Sequence, residues 1–274
     1  MPYCQEKRFP NNADNSIFIF VILNNVLTSF FGCFIIWSRP NNGFATEGAV
    51  KIGKRKPNTT KIEIIRIATK MFVTKGYSAT TLKMIADELD TSSGHISFYF
   101  PSKEDLLAVL TNMLCEFQWK LVKENTYGGI SSLTAICFEL MSMASACEDD
   151  EVAKDFFVSA YQSPACLAII HKNDTERAKE VFAEYCYGWT DEQFKEAEIL
   201  VAGIEHSTLN AIDKTVPLET RISGALNTIM MVYNVPEEIR KENTEKVLAM
   251  DYRSIGKRIF KEFKEYVEKK KEVL

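Results

Sequence analysis

TSSGHISFYFPSKEDLL, residues 91–107, is the stretch whose reading decides the fold. Small hydroxyl residues and a glycine open a helix, three aromatics and a proline close it, and Ser102, with Asp105 three residues on, caps the next one. A helix of seven or eight residues is not stable alone, so its neighbours must hold it. Upstream, a capping box at Thr60 and Glu63 precedes an apolar face of helical period, Ile62, Ile65, Ile67, Ala68, Met71 and Phe72, which ends at Gly76. A second short helix begins after Thr80, with Leu82, Ile85, Ala86 and Leu89 inward. Downstream, Leu106, Leu107, Leu110, Met113, Leu114 and Phe117 form the buried stripe of a longer helix from Lys103 to about Lys123.

Short helices with a tight turn before the last describe a helix-turn-helix module, whose last short helix enters the major groove of double-stranded DNA. Ile96 and Phe100 are its expected core contacts. The outer face is small, so backbone and side chains can approach base edges and phosphates. Gly94 permits close approach, and Ser92 caps the helix.

The charge distribution agrees. Net charge is −4 over 274 residues, but residues 51–107 hold ten Lys/Arg against six Asp/Glu, and residues 108–274 hold twenty against twenty-eight. A small basic module followed by a larger acidic one implies two jobs. The seven cysteines form no CxxC, and the three histidines give no zinc-finger spacing. His171 and His206 lack matched partners, so no metal is expected, and no cofactor either. Nothing resembles a phosphate loop, HExxH or GxSxG, so no enzyme is expected. The cysteine usage suits reduced thiols in a cytoplasmic protein.

Residues 16–37, SIFIFVILNNVLTSFFGCFIIW, are long and apolar enough for a bilayer span. Three readings stand for residues 1–49: a signal anchor, a soluble amphipathic helix, or an extension ahead of a natural start near Val50. From residue 130 the pattern stays helical, over about 130–147, 150–162, 164–187, 190–212, 217–233, 236–248 and 251–272, with Thr190, Pro217 and Pro236 marking starts. The fold class is therefore all-α: a helix-turn-helix domain over 50–107 and a helical domain over 108–274.

The stretch GYSATTLKMIADELDTSSGHISFYFPSKEDLL, residues 76–107, resembles the TetR/AcrR family of bacterial transcriptional repressors. The resemblance rests on Gly76, Tyr77, Thr80, Thr81, Ile85, Ala86, Ser92, Gly94, Ile96, Tyr99, Phe100, Ser102, Lys103, Glu104 and Leu106. The departures are Asp90 for the turn glycine, Thr91 for a valine, and Ser97 for a tyrosine that commonly touches phosphate in the family. Phe98 and Tyr99 are the neighbours that can partly replace it.

The resemblance implies that Thr81, Ser92, Ser93, Gly94, His95, Ser97, Phe98, Tyr99 and Lys103 face DNA. Ser93, His95 and Phe98 are the expected base readers, with Phe98 suited to a thymine methyl. Lys103 is expected on phosphate, and Lys51, Lys54, Arg55 and Lys56 form a basic arm for phosphates or the minor groove. It further implies a homodimer on a near-palindromic operator, with helices near 190–212 and 217–233 at the interface. A small-molecule effector is expected to release the repressor from DNA, with Phe117, Phe138, Met141, Phe157, Tyr161, Tyr185 and Trp189 as candidate ligand contacts. The alternative is a membrane-tethered regulator or helical interaction protein anchored by residues 16–37.

Overall fold

The computed structural model describes residues 57–127 and 130–269. Among these the chain forms eleven α-helices and no strand. The N-terminal stretch 1–49 and the arm residues Lys51, Lys54, Arg55 and Lys56 lie outside the described residues.

Helix α1 (Pro57–Lys75) begins ahead of the expected Thr60 capping box, which therefore falls inside its first turn. Proline lacks an N–H and has a helix-compatible φ, so it suits a first helical position. The buried face is Ile64, Ile65, Ala68, Met71, Phe72 and Val73, while Ile62 and Ile67 are half-buried. Gly76 ends the helix at φ 97°, and a Cβ there would lie 2.8 Å from Asp155 Oδ2.

Thr81 caps α2 (Leu82–Glu88), its hydroxyl accepting from the Met84 N–H at 3.2 Å. The chain then turns through Asp90 at φ 48°, a left-handed conformation that Asp tolerates. Ser92 caps α3 (Ser93–Tyr99) by accepting from the His95 N–H at 3.2 Å. Ser102 and Asp105 form the expected box before α4 (Lys103–Tyr127): the Ser102 N–H donates to Asp105 at 2.7 Å and the Asp105 N–H to Ser102 Oγ at 3.1 Å.

The rest comprises α5 (Ser132–Asp149), α6 (Glu151–Gln162), α7 (Pro164–Val181), α8 (Asp191–Leu209), α9 (Leu218–Val232), α10 (Glu237–Leu248) and α11 (Tyr252–Lys269). Helix α5 is apolar on nearly every side, with twelve buried residues. It accordingly sits at the centre, packed by α4, α6, α8, α9, α10 and α11. Helix α11 approaches it so closely that a Cβ on Gly256 would lie 2.7 Å from the Ser142 carbonyl oxygen.

The expected helix over 164–187 stops at Val181. Phe182 instead stacks on Tyr233 with ring centroids 4.0 Å apart, the Cys186 thiol reaches the Tyr233 carbonyl at 3.4 Å, and Gly188 takes φ 80°. Docking of these side chains outweighs the helical period of the segment. Thr190 and Gln193 form a complete capping box for α8, which ends at Leu209, short of the expected 212.

The first helices pack against the later ones. Helix α1 packs on α4, α6 and α11, and Lys264 of α11 donates to the Val73 carbonyl at 2.9 Å.

Candidate nucleic-acid interface and internal cavity

Helix α3 divides sharply between two faces. Ile96 is 0% exposed and Phe100 3%, and both join a core built from α1, α2 and α4. Ser93, Gly94, His95 and Phe98 point to solvent, with Phe98 80% exposed. The Phe98 and Tyr99 rings meet edge-on at 5.1 Å, and His95 meets Tyr99 at 5.4 Å, so Tyr99 braces both neighbours. At that exposure Phe98 adds little to the core of the described residues. A Cβ on Gly94 would meet only Ser92 Oγ, at 3.8 Å, so the outward space there is open. Thr81 and Ser92 lie exposed at the two caps, and Ser97 is half-buried.

Lys103 is placed differently. Its ammonium donates to the Tyr77 carbonyl at 2.8 Å and lies 4.1 Å from the centroid of the Tyr77 ring. Burial lowers its pKa, while Asp155 pulls it back up. The side chain thus ties α4 to the loop after α1, with donors left over for a phosphate.

The described part of the module is charge-balanced. Residues 57–107 hold Lys61, Arg66, Lys70, Lys75, Lys83 and Lys103 against Glu63, Asp87, Glu88, Asp90, Glu104 and Asp105. All of the excess positive charge therefore belongs to Lys51, Lys54, Arg55 and Lys56.

Between α4, α5, α6, α7, α8 and α9 lies a cavity of ≈ 880 Å³, part of it open to solvent. An adjoining one of ≈ 750 Å³ sits between α4, α5 and α11. Phe157 and Tyr161 line the first, and Phe138 and Phe157 the second. Phe117, Met141, Tyr185 and Trp189 line neither. Phe117 packs on Phe263 of α11 at 5.8 Å, Met141 is fully buried in α5, and Trp189 rests on Phe194 at 5.2 Å.

Sequence reasoning missed the polar lining: Glu139, Asp174, Arg177, Glu198, Glu205 and Tyr233. A signal was present. Glu198 falls on the stripe Phe194, Ala197, Val201, Ala202, Leu209 that α8 turns inward, and a charge on an apolar stripe marks a buried polar group. Arg177 is held bidentately by Glu139, at 3.2 and 2.5 Å, and by Asp174 at 3.0 Å.

The five cysteines among the described residues are buried free thiols, and burial raises the pKa of each. Among the described residues no group of His, Cys, Asp and Glu could hold a metal ion.

Residues 64–110 match the family profile of bacterial regulatory proteins, tetR family. Over 49 residues the chain is 47% identical to the uncharacterized HTH-type transcriptional regulator YuxN of Bacillus subtilis (strain 168), covering 18% of this chain and 17% of that one. Over 106 residues it is 31% identical to the HTH-type transcriptional regulator HbdR of Aromatoleum sp. (strain CIB), covering 38% and 44%. The chain thus spans less than half the length of either curated relative in the match. A crystal structure of a gamma-butyrolactone receptor (ArpA-like protein) aligns at 19% identity and a TM-score of 0.39, over 74% of this chain and 97% of that one. Over residues 64–110 the chain is therefore similar to the bacterial regulatory proteins of the tetR family.

Proposed function

We propose that the chain is a dimeric DNA-binding transcriptional regulator of the cytoplasm, a repressor released from its operator by a small molecule, and not an enzyme. The carrying observation is the division of α3: Ile96 and Phe100 anchored, Ser93, His95 and Phe98 presented outward. HbdR and YuxN, described as HTH-type transcriptional regulators, support the reading through the matched module.

One short helix reads too few base pairs for useful specificity, so two copies are needed. Helices α8 and α9 supply the candidate interface. Ile199 is 60% exposed, Leu200 57% and Met231 52%, beside exposed Gly203 and Gly224 that allow close helix approach. The cavity supplies the candidate effector site. An effector acts if it favours a conformer in which the two recognition helices are wrongly spaced.

Among the described residues no helix is long and apolar enough to cross a membrane, and the stretch 16–37 lies outside them. The tethered alternative therefore gains no support from a specific observation.

Titrating the protein against duplexes tiled from the DNA flanking its own gene, at several salt concentrations, tests the reading. Specific binding to one near-palindromic segment is expected, with a log–log salt slope of roughly −7 for about eight phosphate contacts. No binding even at low salt would overturn it.

A further inference from the structure

The large cavity is charged asymmetrically. Four carboxylates line it, Glu139, Asp174, Glu198 and Glu205, against one cation, Arg177. Arg177 is already engaged by Glu139 and Asp174. Among the described residues neither Glu198 nor Glu205 forms an ion pair. Glu198 accepts from the Tyr233 hydroxyl, and Glu205 from the Tyr161 hydroxyl at 2.8 Å. Glu198 is only 4% exposed. The two lie seven residues apart on α8, hence on one face and about 10 Å apart along the axis.

A buried carboxylate without a counter-charge is costly. Burial and the nearby Asp174 push Glu198 up to about 8 and raise Glu205 as well. Arg177, with a side chain 9% exposed, is held by Glu139 and Asp174 and does not offset Glu198 and Glu205. The cavity thus offers two carboxyl groups without a counter-charge inside an apolar, aromatic wall that includes Phe157, Ile229 and Met230.

Resting on the effector-site reading above, we infer that this cavity binds an organic cation: an ammonium paired with Glu198 or Glu205, on an apolar body. The rings of Tyr161 and Tyr233 add attraction for a cation. A metal ion fits less well, because no three ligating groups converge among the described residues.

Binding is coupled to protons. The charged and titratable neighbours of Glu198 and Glu205 are Asp174 and Arg177 from α7, Glu139 from α5, Tyr161 from α6, Cys115 from α4, Tyr233 after α9, and His206 on α8 itself, stacked on Tyr161. A carboxylate protonated in the empty cavity must release its proton to pair with an ammonium. For an ammonium paired with Glu198, affinity therefore rises with pH up to about 8, by at most about tenfold per unit for one proton.

The test uses three near-isosteric probes on the full chain: 3-phenoxypropylammonium, neutral 3-phenoxypropan-1-ol and anionic 3-phenoxypropanoate. Calorimetry at pH 7 in buffers of different ionisation enthalpy measures affinity and proton release. The ammonium is expected to bind at least about tenfold more tightly than either analogue, releasing protons. Glu198→Gln with Glu205→Gln should erase the preference while the thermal midpoint at pH 7 is no lower than the wild type's, since Gln mimics the protonated acid. Equal or tighter binding of the alcohol or the carboxylate overturns the cation inference and leaves the effector site standing. Binding by none of the three also overturns it. If the ammonium binds but DNA affinity is unchanged, the cation inference holds and the effector reading fails.

Discussion

Asp155 of α6 grips Ser78 in the loop between α1 and α2. The Ser78 N–H donates to one carboxylate oxygen at 2.8 Å and its hydroxyl to the other at 2.5 Å. The same helix presents Phe157, Ala160 and Tyr161 to the cavity. One three-turn helix therefore touches both the cavity and the loop that leads into the helix-turn-helix. A second link joins the start of α4 to α7, where the Ser163 hydroxyl donates to Glu104. The long helix α4 likewise runs from the end of the helix-turn-helix to the cavity, which Thr111, Leu114, Cys115 and Gln118 line.

Replacing Asp155 by Ala removes both bonds and should destabilise the protein by roughly 1–2 kcal/mol. Asp155→Asn keeps one acceptor and should cost less. Amide hydrogen exchange at Ser78 checks this directly: protection should fall in the order wild type, Asn, Ala. Unchanged exchange in the Ala variant would show that the loop is held by something else.

Exposed and buried residues of α3 should separate binding from folding. Phe98→Ala should leave the denaturation midpoint unmoved while weakening operator binding by roughly 1–3 kcal/mol. Ile96→Ala should instead destabilise the fold by roughly 2–5 kcal/mol. A Phe98 variant that binds normally would remove it from the recognition surface.

Because the described module is charge-neutral, the basic arm should dominate the salt dependence. Changing Lys51, Lys54, Arg55 and Lys56 to Gln is expected to flatten the log–log slope by about 0.9 for each phosphate that the arm no longer neutralises. Base preference should survive, since phosphate contacts carry no sequence information. An unaltered slope would assign the arm to solvent.

The α8–α9 face should govern association. Leu200→Glu places a charge on a surface that is 57% exposed in the single chain, so the fold should persist. Sedimentation should show monomers for the variant and dimers for the wild type. A wild-type monomer at micromolar concentration would refute this face as the interface.

Glu198 also sets a pH signature. Its folded pKa of about 8 lies above the ordinary 4.5, so the folded state holds a proton that the unfolded state has lost. Its contribution to stability is fully present below the ordinary value and falls as pH climbs from there to about 8. The slope from one such group is at most about 1.4 kcal/mol per pH unit. Urea midpoints for the wild type should drop across this window, and Glu198→Gln should flatten the curve. Parallel curves would mean that Glu198 is ionised throughout.

The sequence alone determined the helix-turn-helix. Caps at Ser92 and Ser102, the stops at Gly76 and Asp90, and the inward pair Ile96 and Phe100 are local signals, each read within a few residues of its partner. Most helix boundaries after residue 130 were legible for the same reason, from Thr190, Pro217 and Pro236. Only the tertiary structure decided the break at Val181, because the stacking of Phe182 on Tyr233 depends on a ring 51 residues away. It also decided which aromatics line the cavity. Periodicity shows that Met141 and Phe157 face inward, but not whether inward means core or empty space. Asp155 on Ser78 and the pairing of buried Glu198 with the Tyr233 hydroxyl likewise follow from packing between distant helices, where the energy of a charge depends on what surrounds it rather than on its neighbours in sequence.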